Sequence, residues 1–181
     1  MTPIKTQHAA LLLAICLLLA GCIPVKNVEK AWKDAKADEA LAGLWVEKGG
    51  DGKVGFVKTD QGYLITSGTS GLEGGCKSIE TNGHKYIVVA QLRAAVLGFD
   101  QVDDDTKDGT LLRYKLDGEN LTLYTYNQER INAAVKAGKV PGEFDENDSA
   151  SLKELDAATI KWLGTIADEE EGWDVQAYKR K

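Results

Sequence analysis

Short apolar runs of β type, separated by turn residues, make up most of the chain after residue 41. Successive runs meet at turns rich in Gly, Asn and Asp, and this spacing predicts antiparallel hairpins. The strongest turn signals are Asn82-Gly83 and Asp117-Gly118-Glu119-Asn120. The predicted strands cover residues 42–48, 54–57, 63–66, 76–80, 86–92, 111–116, 121–126, 151–155 and 173–180.

Three segments have helical rather than β spacing. The first follows Asn27, and its single apolar stripe fits packing on the domain as well as lying in a membrane interface. The stripe consists of Val28, Ala31, Trp32 and Ala35. The second segment lies between its cap Asn127 and Gly138, and the third begins at its cap Asp156.

Evenly spaced hairpins favour a barrel, because closure removes the exposed strand edges. We therefore expect a mainly β fold with minor α. The predicted architecture is a small antiparallel β-barrel of eight or nine strands, with an N-terminal helix and two short helices inserted near the C-terminal strands.

Residues 1–22 have the layout of a secretory signal peptide that ends in a cysteine. Lys5 and His8 precede a short apolar run without acidic residues, which closes on Leu19-Ala20-Gly21-Cys22. The run is shorter than the roughly twenty residues of a spanning helix. The segment resembles the lipobox of bacterial lipoproteins, which implies cleavage before Cys22 and attachment of lipid to its sulfur.

These features predict three parts: a signal peptide at 1–21, a lipid anchor with a short tether and helix at 22–41, and a β-barrel domain at 42–181. The tether, 23–26, is so short that the folded body should lie close to the membrane. Ile23 after the cysteine, rather than Asp, resembles the outer-membrane sorting pattern. We expect a lipid-anchored protein of the cell envelope, on the outer membrane and facing the periplasm.

The charge balance limits the partners. The chain has 22 basic and 28 acidic side chains, a formal net charge of −6. Nucleic acids and anionic lipid head groups require basic patches, so we expect neither as an electrostatic partner. Besides Cys22, the chain beyond the signal peptide holds only Cys76, as a buried thiol or in an intermolecular disulfide.

Two motifs resemble those of lipocalins and related calycin barrels. Gly43-Leu44-Trp45 is similar to the Gly-x-Trp motif that opens these barrels, and 112–124 is similar to a late hairpin of lipocalin-like bacterial lipoproteins. The resemblance covers residues 40–130. It implies that Gly43 and Trp45 help to close one end of the barrel, with Arg113 or Arg180 against the Trp.

Aromatic residues inside the predicted strands are the candidate ligand-lining positions, because alternate residues of a strand face the barrel interior. They could line a ligand cavity or form an ordinary core. The candidates are Phe56, Tyr63, Tyr86, Tyr114 and Tyr124.

Catalytic and metal-binding patterns are weak. His84 is the only histidine after residue 21, and Ser70 precedes Gly71 directly, unlike a Gly-x-Ser-x-Gly elbow. The aspartates at 100–108 could form an irregular calcium site or a solvated loop, but Lys115 replaces the bidentate Glu of an EF-hand. We expect no enzyme activity, no cofactor and no metal.

The sequence thus predicts a membrane-anchored envelope lipoprotein whose barrel binds a small apolar or amphipathic ligand or a cell-wall fragment. The alternative is a structural module that docks on an envelope protein complex, and a hydrolase is a more distant third. A cavity inside the barrel would favour the ligand-binding hypothesis, and a filled interior would favour the docking hypothesis.

Overall fold

Eight antiparallel strands close into a β-barrel in a computed structural model of the protein. The structure describes residues 22–67, 73–92, 95, 100, 107–169 and 171–181. Its strands are β1 (Ile23–Val25), β2 (Gly43–Glu47), β3 (Lys53–Thr59), β4 (Gly62–Ser67), β5 (Glu73–Thr81), β6 (His84–Ala90), β7 (Gly109–Asp117), β8 (Asn120–Tyr126), β9 (Gly142–Phe144), β10 (Ala150–Leu152) and β11 (Trp173–Arg180). The described helices are α1 (Glu29–Asp34), α2 (Gln128–Lys136) and α3 (Ala157–Ala167), and a 3₁₀ turn spans Glu39–Leu41.

The barrel is an up-and-down arrangement in chain order. Strands β2 to β8 follow one another around it, β11 lies between β8 and β2, and β6 pairs with β7 to complete the ring. Each barrel strand therefore has a neighbour on both sides. This confirms the predicted mainly β fold and antiparallel barrel, with eight strands in the ring.

The hairpin turns form where the sequence predicts them. Asn82 and Gly83 join β5 to β6 with φ of 51° and 76°, as a two-residue turn with positive φ at both positions requires. Gly118, with φ of 56°, lies in the turn between β7 and β8. Turn chemistry thus sets the register of both hairpins.

Three strands extend the sheet outside the barrel. β1 pairs with the first residues of β7, β10 lies parallel to β1, and β9 forms the outer edge. There is room for β1 because β8 pairs with β7 only from Arg113 onward. Ile23–Val25, expected as a tether, is therefore a strand, and the strand expected at 151–155 is β10, outside the barrel.

Side-chain caps begin the two longer helices as predicted. Asn127 accepts a hydrogen bond from the Glu129 amide at 2.8 Å, and Asp156 accepts one from the Thr159 amide at 2.7 Å. α1 has only six residues. In the part of the chain that the structure describes, none of the helices is long and apolar enough to span a membrane.

The buried apolar residues form two clusters on opposite faces of the barrel wall. The inner cluster fills the barrel and includes Trp45, Phe56 and Tyr63. The outer cluster lies between the outer face of β6 and β7 and the covering layer of α1, β1, β10, α2 and α3. The covering layer is therefore confined to one side of the barrel.

Candidate functional site

The candidate aromatic residues divide between the two clusters. Phe56, Tyr63 and Tyr114 point into the barrel and are at most 3% exposed. Tyr86 belongs to the outer cluster, and Tyr124 is on the outer face of β8 because Leu121 and Leu123 occupy the inner positions. In the described residues, the inward aromatics form part of a filled core.

The 3₁₀ turn Glu39–Leu41 helps to close one end of the barrel. Trp45 is fully buried beneath it and donates a hydrogen bond from Nε1 to the Leu41 carbonyl at 2.8 Å. The Arg180 guanidinium lies 4.5 Å from the centre of the Trp45 ring and donates to the Ala40 carbonyl at 2.6 Å. Of the two arginines that the sequence left open, Arg180 is therefore the one stacked on Trp45.

Gly43 contributes to this end through its backbone. Its φ is +122°, in the region that favours glycine, and a Cβ at this position would meet nothing within 4 Å. The residue is needed for the conformation at the start of β2 rather than for close packing against Trp45.

A polar network ties the segment before the 3₁₀ turn to the barrel. Tyr114 donates from its hydroxyl to Asp38 at 2.7 Å, Lys85 donates to the same carboxylate at 2.9 Å, and Ser78 lies 2.5 Å from the Tyr114 hydroxyl. Partial burial alone would raise the pKa of Asp38, but hydrogen bonds from Tyr114, Lys85 and Ala40 outweigh it and lower this pKa. Desolvation in turn raises the pKa of Tyr114.

Arg113 has a different role from Arg180. Its guanidinium lies 4.7 Å from the centre of the Tyr124 ring and 5.3 Å from that of Trp173, and it donates to the carbonyl of Ala167 at the end of α3. Arg113 therefore fixes the C-terminus of α3 to the outer barrel wall. Sequence spacing could not show this, because the contacts join residues far apart in the chain.

A cleft of about 790 Å³ opens outside the barrel, between α1, β5 and the N-terminal part of α3. Ala31, Ile79, Leu155 and Ile160 supply apolar lining. The volume falls within the range of roughly 300–1,000 Å³ typical of ligand sites. The sequence pattern gave no sign of the cleft, because it forms where two helices and a strand end meet.

Charged side chains of both signs also line the cleft. Lys30, Lys36, Asp34 and Glu80 are exposed there. Among the described residues, these four form no ion pair with one another or with other side chains. Their charges are therefore available to a ligand that carries charge itself.

Both cysteines of the described chain are buried in the inner cluster. Desolvation raises the pKa of Cys22 to about 11, although a hydrogen bond with Thr110 lowers it, and desolvation raises that of Cys76 to about 12. Neither forms a disulfide. A lipid on the Cys22 sulfur does not fit this position, so lipidation requires this sulfur to leave the barrel core.

The remaining candidate catalytic and metal-binding residues do not lie close together. His84 Nε2 lies 3.2 Å from Asp168, on the outer face of β6, whereas Ser78 points inward to Tyr114. Ser70 and most of the acidic segment, residues 101–106, lie outside the described residues. Within the described ranges, no three His, Cys, Asp or Glu side chains are grouped to hold a metal ion.

Comparison with known proteins adds no relative: no family model, no curated protein and no solved structure matches the chain. The fold and the cleft are therefore interpreted from their own geometry and chemistry.

Proposed function

We propose that this protein is a lipid-anchored envelope protein whose folded domain binds a small amphipathic molecule or cell-wall fragment without catalysing a reaction. The lipid is carried by Cys22, and the body faces the periplasm from the outer membrane. The ligand site is the cleft outside the barrel rather than the barrel interior.

The anchoring part of the proposal rests on the sequence. Leu19-Ala20-Gly21-Cys22 follows an apolar run preceded by Lys5 and His8, as in bacterial lipoproteins. Gly43-Leu44-Trp45 and the Arg180 stack fit the resemblance to calycin barrels, many of which hold a small ligand.

One observation carries the binding part: the cleft combines an apolar lining with unpaired charges of both signs. Apolar surface favours the hydrocarbon part of a ligand, and the charges favour its polar end. The described interior offers no comparable space around Trp45, Phe56 and Tyr63, whose side chains are at most 2% exposed.

The absence of catalysis is proposed from the placement of the reactive groups. His84 and Ser78 lie on opposite faces of the β5–β6 hairpin, so the imidazole does not reach the hydroxyl to act as its base. Tyr114 and Asp38 hold Ser78 within a structural network at the closed end of the barrel.

The test fills the cleft without changing the fold. Ala157 lies on the cleft wall, whereas Ala158, which is also exposed and next to it on α3, does not line the cleft. Native mass spectrometry of the full chain should show a co-purifying small molecule in the wild type and in Ala158→Trp. In Ala157→Trp its occupancy should fall at least about tenfold, because the indole occupies the site.

Equal occupancy in both tryptophan variants would place the ligand elsewhere. A wild-type chain that is empty from every preparation would overturn the proposal, and so would steady product release from an ester, glycoside or peptide.

The alternative, a docking module for an envelope complex, is favoured by one separate observation. Val57 is 56% exposed and Leu44 39% exposed on the outer face of β2 and β3, the side without covering helices. In that case Val57→Lys would release the protein from its complex, while Ala157→Trp would leave the complex intact.

A further inference from the structure

One position of the β5 edge is left open inside the cleft. Lys36 and Ser78 form an isolated bridge, in which each amide donates to the other residue's carbonyl at 2.9 and 2.7 Å. Residue 36 thus takes the place of a strand beside β5, beyond the point where β4 begins at Gly62. The bridge shows that this edge accepts antiparallel pairing.

The bridge is not continued towards Glu80. In an antiparallel ladder, the residues two apart on one strand direct their main-chain groups to the same side. The amide and carbonyl of Glu80 therefore face the same way as those of Ser78, away from β6, whose bonds go to Ile79 and Thr81. The chain segment that would pair with Glu80 belongs instead to α1, which ends at Asp34.

In the part of the chain that the structure describes, the main-chain N–H and C=O of Glu80 have no protein partner. Both groups belong to a residue that lines the 790 Å³ cleft. A ligand without a hydrogen-bond donor and acceptor would cover these two groups without replacing their hydrogen bonds to water, which is unfavourable. A peptide segment supplies an acceptor and a donor at the matching spacing.

We propose that the cleft binds a short peptide in extended form, which adds to β5 by pairing with the main chain of Glu80. This rests on the proposed function in using the same cleft, and it names the ligand class. Lys30 and Lys36 attract the terminal carboxylate, and Asp34 and Glu80 attract the terminal ammonium group. A short peptide with free ends therefore matches both the open edge and the charges.

The first experiment leaves the protein unchanged and varies the peptide. Tetra-alanine with free ends, added to the ¹⁵N-labelled full chain, should shift the Glu80 amide resonance and slow its hydrogen exchange at least about tenfold at saturation. Tetra-alanines N-methylated at one inner amide each serve as controls. With at least one of these peptides, the exchange of the Glu80 amide should not be slowed, because that peptide cannot donate a hydrogen bond to the Glu80 carbonyl.

The second experiment removes the donor on the protein side. Glu80→Pro deletes an amide that makes no ladder bond to β6, and the edge of a strand accepts proline at such a position. Loss of one hydrogen bond should weaken tetra-alanine binding about fivefold or more. Glu80→Gln, the matched control, loses the same carboxylate charge but keeps the amide, so it should bind tetra-alanine about fivefold or more tightly than Glu80→Pro does.

The outcomes separate this inference from the proposed function. Unchanged Glu80 exchange at saturating tetra-alanine, or equal binding of all N-methylated peptides, overturns peptide addition. If Ala157→Trp still displaces a co-purifying molecule in that case, the cleft binds a ligand of another class and the proposed function stands. If Ala157→Trp also leaves the occupancy of the co-purifying molecule unchanged, both the peptide inference and the proposed function of the cleft fail.

Discussion

Trp45 shows how much a single residue of this fold depends on contacts between distant parts of the chain. Its burial follows from an apolar strand next to Gly43, which the sequence displays. Its partner does not follow, because Arg180 reaches the ring only through the register of β11 against β2. That register results from barrel closure, which no local pattern encodes.

Replacement of Trp45 should therefore be costly. Trp45→Ala removes a fully buried ring, its hydrogen bond to Leu41 and the surface on which Arg180 stacks. We expect the free energy of unfolding in urea to fall by about 3–5 kcal/mol. Val57→Ala, at an exposed position of β3, should change it by no more than about 0.5 kcal/mol. A similarly small change for Trp45→Ala would contradict the closed-end arrangement.

Asp38 should make stability depend on acid pH. Its folded pKa lies below the ordinary value of 3.8, so its contribution is complete above that pH and is lost as the pH falls through the folded value. Asp38→Asn should be less stable at pH 7 by about 1–2 kcal/mol, because Lys85 and Tyr114 lose a charged acceptor.

Urea titrations of the wild type and Asp38→Asn from pH 7 to pH 2 measure this difference. The difference between the two free energies of unfolding should begin to shrink as the pH falls below about 4. A gap that stays constant down to pH 2 would mean that the carboxylate charge does not contribute.

At the scale of elements, the predictability of the fold depends on sequence separation. The hairpins around Asn82-Gly83 and Gly118 were predictable because turn and strands are adjacent in the chain. Of the outer layer, only β10 was expected as a strand, at 151–155, and its place outside the barrel was not; β1 and β9 have three residues each, too few to show a period of two. The cleft was not predictable either, because its lining comes from α1, β5 and α3, which are far apart in the chain.

The N-cap of α3 offers a test of one such element. Asp156 accepts a hydrogen bond from the Thr159 amide, and Asp156→Ala leaves this amide without a protein acceptor. Stability should fall by about 1 kcal/mol, measured by thermal or urea unfolding. Glu154→Ala, an exposed acidic residue just before the helix, is the control and should have little effect. Equal losses in both variants would indicate a general charge effect rather than a cap.

At the scale of the whole molecule, the two apolar clusters on the two faces of the barrel wall stabilise different parts of the structure. The inner cluster stabilises the ring, and the outer cluster holds α3 and α1 against β5 and β6, where the cleft lies. The alternation of side chains predicted that strands would have two faces. It could not predict that both faces of β6 and β7 would be covered while β2 and β3 remain bare.

The proposed attachment to the membrane is tested on the full chain, since it depends on the N-terminal segment as well as on Cys22. Metabolic labelling with a radioactive fatty acid should mark the wild type and Cys76→Ala but not Cys22→Ala, because only Cys22 follows Leu19-Ala20-Gly21. Equal labelling of the Cys22→Ala variant would exclude Cys22 as the anchor.

The pairing of β1 also determines how the protein would respond to mechanical force. β1 is bonded along one edge to β7 and along the other to β10. A pull directed along the axis of β1 loads these hydrogen bonds in shear, all at once, rather than opening them one by one. Force is then divided between the barrel wall through β7 and the α2 side of the molecule through β10. β1 would thus resist extraction more strongly than a strand that is peeled from one end.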